Sequence, residues 1–270
     1  ACSALGELFA DREPHKRLAD ALTVFLFENR EEYLARSGAH RSPEARAFLE
    51  HTTGHYSSEE SISRFFWSDR PDLERRIAAV AVHELTHHWM DKLCPAFADK
   101  DVRRGPLTPG VWVVEGLATF YEEGRYDVDR NEWRLFDRRA RSLDVVRSLA
   151  KHGAIIPWSR LYSLNQATFV LLPADDGPDV IREWAMGKSR VSARRLFYEQ
   201  AAATCHYLYH ADKGRHRRVL VDCLVGHYTR QGALLDLPRQ MGISADQLGA
   251  KVVEFARAVA DGWRPAAAAK

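Results

Sequence analysis

No apolar run in this chain approaches the length of a membrane span; the densest stretch, Ile77 to Val82, is far too short. Charge of one sign is also missing. Lys and Arg number 39 against 37 Asp and Glu, a formal net charge of +2, and the arginines are scattered rather than gathered in a block. That balance carries no nucleic-acid or membrane footprint. Cysteine is scarce: Cys2, Cys94, Cys205 and Cys223 contain no C-x-x-C pair, which excludes a cysteine zinc site. Cys205 and Cys223 read either as buried apolar residues or as a disulfide; a bridge would favour an extracytoplasmic home. There is no internal repeat, and no low-complexity stretch beyond Ala266 to Ala269. The chain starts Ala1-Cys2-Ser3 without Met, so it reads as processed or trimmed, with no signal peptide left to interpret.

What is present is enough for a substantial core: 270 residues, 46% of them apolar and 28% charged. Residues 3 to 19 read as a helix. Thr23 to Phe27 is a β-rich apolar run, expected as a buried strand. Asn29 is placed to cap a helix that begins over Arg30 to Leu34. Gly54 to Tyr56 and Ser61 to Trp67 read as two further strands. Gly124 should stop a helix, and Tyr126 to Phe136 reads as a short hairpin or irregular segment. Helical patterns then cover 138–151, 157–164, 178–186, 192–211, 215–231 and 244–260, punctuated by Pro157, Pro173, Pro178 and Pro238. The fold class is α+β, as a single domain over 1–270. An α+β lobe is expected over about 1–125 and a helical lobe over about 126–270, with the site in the cleft between them.

The pattern centres on His83-Glu84-Leu85-Thr86-His87, an H-E-x-x-H inside a helix that Pro71 can open and that runs on to Leu93. Residues four apart stack on one helix face, so His83 and His87 can offer two imidazoles to one metal ion. Glu84, beside the first, can take a proton from a water there. A zinc hydrolase needs a third protein ligand. Trp112-Val113-Val114-Glu115-Gly116-Leu117 supplies one: Glu115 is an acid bracketed by apolar residues, and a buried carboxylate is costly unless it is paired or binds a cation. His88 should point a quarter turn away, in a structural or solvent-facing role, and Trp89 should pack. His206 and His210 repeat the four-residue spacing, but no acid follows the first and no third ligand is evident.

These residues carry a resemblance. His83-Glu84-x-x-His87-x-Trp89 followed by Trp112-x-x-Glu115-Gly116-Leu117 resembles the gluzincin metallopeptidases, especially the aminopeptidase-N family. Tyr198-Glu199-Gln200-Ala201, expected to open a helix, resembles that family's Y-E-K-G segment. The resemblance implies a thermolysin-like catalytic domain: a small N-terminal sheet and zinc helix, then a helical lobe. It implies Zn2+ held by His83, His87 and Glu115, with Glu84 and Tyr198 catalytic. A sheet edge would pair with substrate backbone. Glu122 sits where the family has an acid that can accept the remaining N–H of a ligand imidazole; Thr119 stands where thermolysin-type enzymes carry an aspartate. The departures are specific. The gap between His87 and Glu115 is longer than in aminopeptidase N, so a loop from Cys94 to Pro109 is expected. The G-x-M-E-N segment that anchors a free amino end is absent, which favours an endo- or oligopeptidase acting on a peptide or protein substrate. In size the chain is closest to small gluzincin-like proteins. The rival reading is a zinc-binding scaffold without turnover, against which the intact Glu84 and Tyr198 count.

Overall fold

The computed structural model describes residues 8–9, 22–39, 42–94, 108–127, 129–130, 132–135, 140–172 and 192–263. Within them the protein is a mixed α+β chain, mostly helical with small sheets. It divides into two compact units, Ala1–Ala96 and Phe97–Lys270. Among the described residues no helix is long and apolar enough to cross a membrane. The helices expected over 3–19 and 178–186, and most of the loop expected from Cys94 to Pro109, lie outside the described residues.

The first unit is built on a three-stranded sheet in the order β1-β3-β2. Strand β1 is Thr23–Phe27, β2 is Gly54–Ser57 and β3 is Ile62–Phe66. β1 runs parallel to β3, with Thr23 opposite Ile62, and β2 runs antiparallel to it, with Tyr56 opposite Ser63. Helix α1 (Arg30–Gly38) is capped as its sequence asks: the Asn29 side chain accepts from the Glu32 amide. Tyr33 on α1 centres a core with Leu49, Phe66 and Ile77. Leu49 belongs to α2 (Pro43–Glu50), a helix the sequence reading passed over although Pro stands in its first turn. The long helix α3 (Pro71–Leu93) has Pro71 at its start and carries the H-E-x-x-H residues.

β1 corrects one expectation. The run Thr23 to Phe27 is a strand but not a buried one: Val24, Phe25 and Leu26 are 45%, 47% and 61% exposed. An apolar run signals two-sided burial only when both sheet faces are covered. β1 is an outer strand, hydrogen-bonded among the described residues to β3 alone.

The second unit begins its described part with α4 (Val111–Glu122), buried at every position except Glu115 and Glu122. Gly110 precedes it at φ 90, a left-handed conformation that suits glycine, and a Cβ there would lie 2.6 Å from the end of the Leu235 side chain. The start of α4 is tied down twice. The Gly110 amide donates to Leu164 O at 3.2 Å, and His227 Nδ1–H donates to Pro109 O at 2.8 Å. Strands β4 (Arg125–Asp127) and β5 (Glu132–Arg134) pair antiparallel, so of the two readings of Tyr126 to Phe136, hairpin or irregular, the hairpin holds. Helices α5 (Arg141–His152), α6 (Trp158–Ser163), α7 (Gln166–Phe169), α8 (Ala193–His210), α9 (Arg217–Thr229), α10 (Gly232–Leu235), α11 (Leu237–Met241) and α12 (Ala245–Ala260) follow. The most extensive packing is between α4 and α8. It depends on Gly116: a Cβ there would lie 2.8 Å from the backbone of Ala201.

Gly116→Ala should therefore destabilise the protein by about 1–3 kcal/mol, the usual scale for overpacking. Gly232→Ala, where a Cβ meets nothing within 4 Å, should leave the denaturation midpoint almost unchanged. Equal midpoints for the two variants would mean that α4 and α8 are not held by this close approach.

Candidate metal centre

α3 sets the first two side chains. His83 and His87 are half-buried, with ring centroids 4.8 Å apart and their Nε2 atoms 3.1 Å apart. Two nitrogens on one tetrahedral zinc, each at 2.0–2.1 Å, are separated by roughly 3.3 Å, so these two already converge on one point. Glu115 is the single half-buried residue between fully buried neighbours on α4, Val114 and Gly116. His83, His87 and Glu115 each offer one ligand atom, and these atoms all lie within 4.8 Å of one another. Among the described residues no other group of three His, Cys, Asp or Glu side chains is so placed. The donor set, two neutral imidazoles and a carboxylate, suits zinc.

Glu84 is half-buried, and its carboxylate is oriented by a strand: Oε2 accepts the Tyr56 amide of β2 at 2.8 Å. Tyr56 is held in turn. Its ring stacks on His88 at 4.7 Å, and His88 Nδ1 lies 3.0 Å from the hydroxyl of Ser63, the cross-strand neighbour of Tyr56. His88 is fully buried, so of its two expected roles the structural one holds. Burial, with Lys92 adding, keeps it below the ordinary imidazole pKa. Trp89 packs as expected, 5.2 Å from Phe9.

Tyr198 lies on α8, but it does not open that helix. α8 starts at Ala193, capped by Ser192, which accepts from the Arg195 amide, so Tyr198 sits in the second turn. It is half-buried, with its ring edge-on to Phe169 at 5.6 Å. Glu122 reaches Arg141 at 3.6 Å. Thr119 is buried, and its hydroxyl has no hydrogen-bond partner among the described residues. His206 and His210 are both buried, and His206 Nε2 lies 3.0 Å from the Glu123 carboxylate. Burial holds His210 down at about 2. Cys94 is buried; Cys205 and Cys223 are unbridged and buried, and burial raises their thiol pKa, as for apolar residues rather than nucleophiles. Cys2 lies outside the described residues.

Sequence reasoning did not single out the Tyr56 amide, nor Glu123, Arg141 and Glu199, which meet in the second unit. A main-chain donor leaves no mark in a sequence, and Arg141 stands in an unremarkable helical segment. Comparison of the chain with protein-family models, with curated proteins and with solved structures finds no match.

The protein as purified should hold about one zinc per chain, by the three-donor argument. Glu115→Ala should lower zinc affinity by at least an order of magnitude, read by competition with a chromogenic chelator. Unchanged affinity in that variant would remove Glu115 from the ligand set.

Proposed function

We propose that the protein is a zinc-dependent peptidase of the gluzincin type, acting as an endo- or oligopeptidase. The observation that carries this reading is the convergence of His83, His87 and Glu115 with a carboxylate, Glu84, held beside the two histidines by a backbone amide. A carboxylate oriented by a main-chain amide beside a metal-binding pair suits a proton acceptor. The lack of an amine-anchoring segment favours internal cleavage. Among the described residues β2 is an outer strand of its sheet, and it lies beside Glu84, where an extended peptide can be read by main-chain hydrogen bonds.

In this reading His83, His87 and Glu115 hold the zinc, which when bound supplies Lewis acidity at the reacting carbonyl and makes a water easier to deprotonate. Glu84 accepts the proton of the attacking water as its oxygen adds to the scissile carbonyl carbon. The Tyr198 hydroxyl donates a hydrogen bond to the oxyanion that develops there. A phenol suits that task because it is neutral near pH 7 and donates without first losing a proton. Glu84 then returns its proton to the leaving amine as the carbon–nitrogen bond breaks.

Digestion of a mixed peptide library, read by mass spectrometry with and without a chelator, tests the reading. New internal cleavages that vanish with the chelator are expected. Zinc bound at one per chain with no cleavage would leave a zinc-binding scaffold. Glu84→Gln should keep the metal and lose at least about 10²-fold in turnover, since the amide keeps the shape but cannot accept a proton. Turnover equal to the parent's would end this mechanism.

Tyr198→Phe removes one oxygen and should leave zinc content intact. Turnover should fall by roughly 10²–10³-fold with little change in KM, the mark of a donor used in the transition state. A Phe variant with full activity would return Tyr198 to packing against Phe169.

A further inference from the structure

A cluster of charged side chains lies inside the second unit, apart from the residues discussed above as ligands. Glu199, on α8, is completely buried. Its Oε1 receives Arg141 Nε of α5 at 2.8 Å and lies 2.9 Å from Arg195 Nε, one turn earlier on its own helix. Its Oε2 is buried and has no hydrogen-bond partner among the described residues. Arg141 is shared further. Its Nη2 lies 3.6 Å from Glu122 and its Nε 3.8 Å from Glu123, both at the end of α4. Glu123 is well supplied: it accepts the Ser142 amide at 2.7 Å, the Ser142 hydroxyl at 2.6 Å and His206 Nε2 at 3.0 Å.

Three carboxylates thus converge on one guanidinium. Like charges gathered out of water disfavour full ionisation, and the group with the poorest hydrogen bonding gives up its charge first. Glu123 has both oxygens occupied. Glu199 has one oxygen engaged by cations and the other with no partner, in a fully buried place where an ionised oxygen is costly. We infer that Glu199 is a buried proton-binding site, with Oε2 carrying the proton, and that this proton stabilises the packing of α4, α5 and α8. The groups facing it are Arg195 from its own helix, Arg141 from α5, and Glu122 and Glu123 from α4. Burial, against the pull of Arg141 and Arg195, pushes Glu199 up to about 7, with Glu123 and Glu122 adding. For Glu123, burial raises and His206, Arg141 and Ser142 lower, and the lowering wins.

The sign of the linkage follows. Glu199 binds its proton more tightly in the folded chain than in the unfolded one, where an ordinary carboxyl titrates near 4.5. The folded state therefore holds the extra proton between about 4.5 and 7, and stability falls as pH rises through that window. α4 carries Glu115, and α8 carries Tyr198 next to Glu199. If the peptidase reading holds, on which this consequence alone rests, alkaline pH loosens the two helices that present those residues.

The test uses the full chain in chelator, so that neither zinc nor turnover enters. Chemical denaturation of the parent and of Glu199→Gln is followed at about pH 5 and about pH 8. Glutamine imitates the protonated acid. The two should match near pH 5, and the variant should be the more stable near pH 8, with a difference on the order of 10²-fold in the folding equilibrium constant. A variant that loses stability most near pH 8, or equally at both, would make Glu199 an ordinary ionic brace and overturn the inference. Infrared difference spectra give a second readout that needs only the parent to fold. A protonated-carboxyl stretch should fade as pH is raised through neutrality, and should be missing from Glu199→Gln where that variant folds. Its absence from the parent near pH 6 would overturn the proposal by itself. A parent that cleaves no peptide yet shows both signatures would keep the proton site and lose only the peptidase reading.

Discussion

A carboxylate taken out of water needs a cation, a set of donors or a proton, and α4 and α8 are arranged around that requirement. Glu115 is one of two half-buried positions on an otherwise buried helix, and its ligand atom lies within 4.8 Å of two imidazole nitrogens. Glu123, two turns further on, is satisfied by a serine and a histidine, with Arg141 close by. Glu199 lies against two guanidinium groups. Each acid thus meets different surroundings: two imidazoles near Glu115, a serine and a histidine on Glu123, and guanidinium groups on Glu199. The contact of the two helices at Gly116 and Ala201 is what lets side chains of such length meet without a gap.

The same requirement separates the two halves of the catalytic proposal. Glu84 is half-buried, and the Tyr56 amide, a main-chain donor on a strand, orients its carboxylate. A main-chain donor of this kind fixes the direction of a carboxylate without itself adding a charge. The support behind it is stiff. Tyr56 is clamped between its strand partner and the buried ring of His88, and His88 sits one residue beyond a proposed ligand.

Much of this was legible in the sequence where the signal is local. The four-residue spacing of His83 and His87, the proline start of α3, the Asn29 cap and the acid amid apolar residues at 115 are short-range patterns, and the structure carries each of them. The failures share a cause as well. Thr23 to Phe27 was rightly a strand, but burial is decided by what lies beyond the strand, which no run of five residues encodes. α2 went unnoticed because it is short and its first turn is marked only by Pro43. Glu199 and Arg141 stand 58 residues apart in the chain, and His206 and Glu123 stand 83 apart, so nothing near either partner announces the pair. Tyr198 was noticed through resemblance alone; in the structure it stands a full turn inside its helix.

The fastening of α4 bears on the order in which the protein can assemble. Its first turn is held by Leu164 and by His227, the latter 118 residues away along the chain. The two histidines on α3 need only their own helix to come together. The carboxylate at 115, by contrast, stands on a segment whose start is secured only after α9 has been synthesised and packed. During translation the two histidine nitrogens of α3 can thus come together well before the three-donor group with Glu115 is complete, which waits for the C-terminal helices. An ion bound as the proposed function requires would meet only the finished arrangement, and so ion and helices would secure each other at the last step.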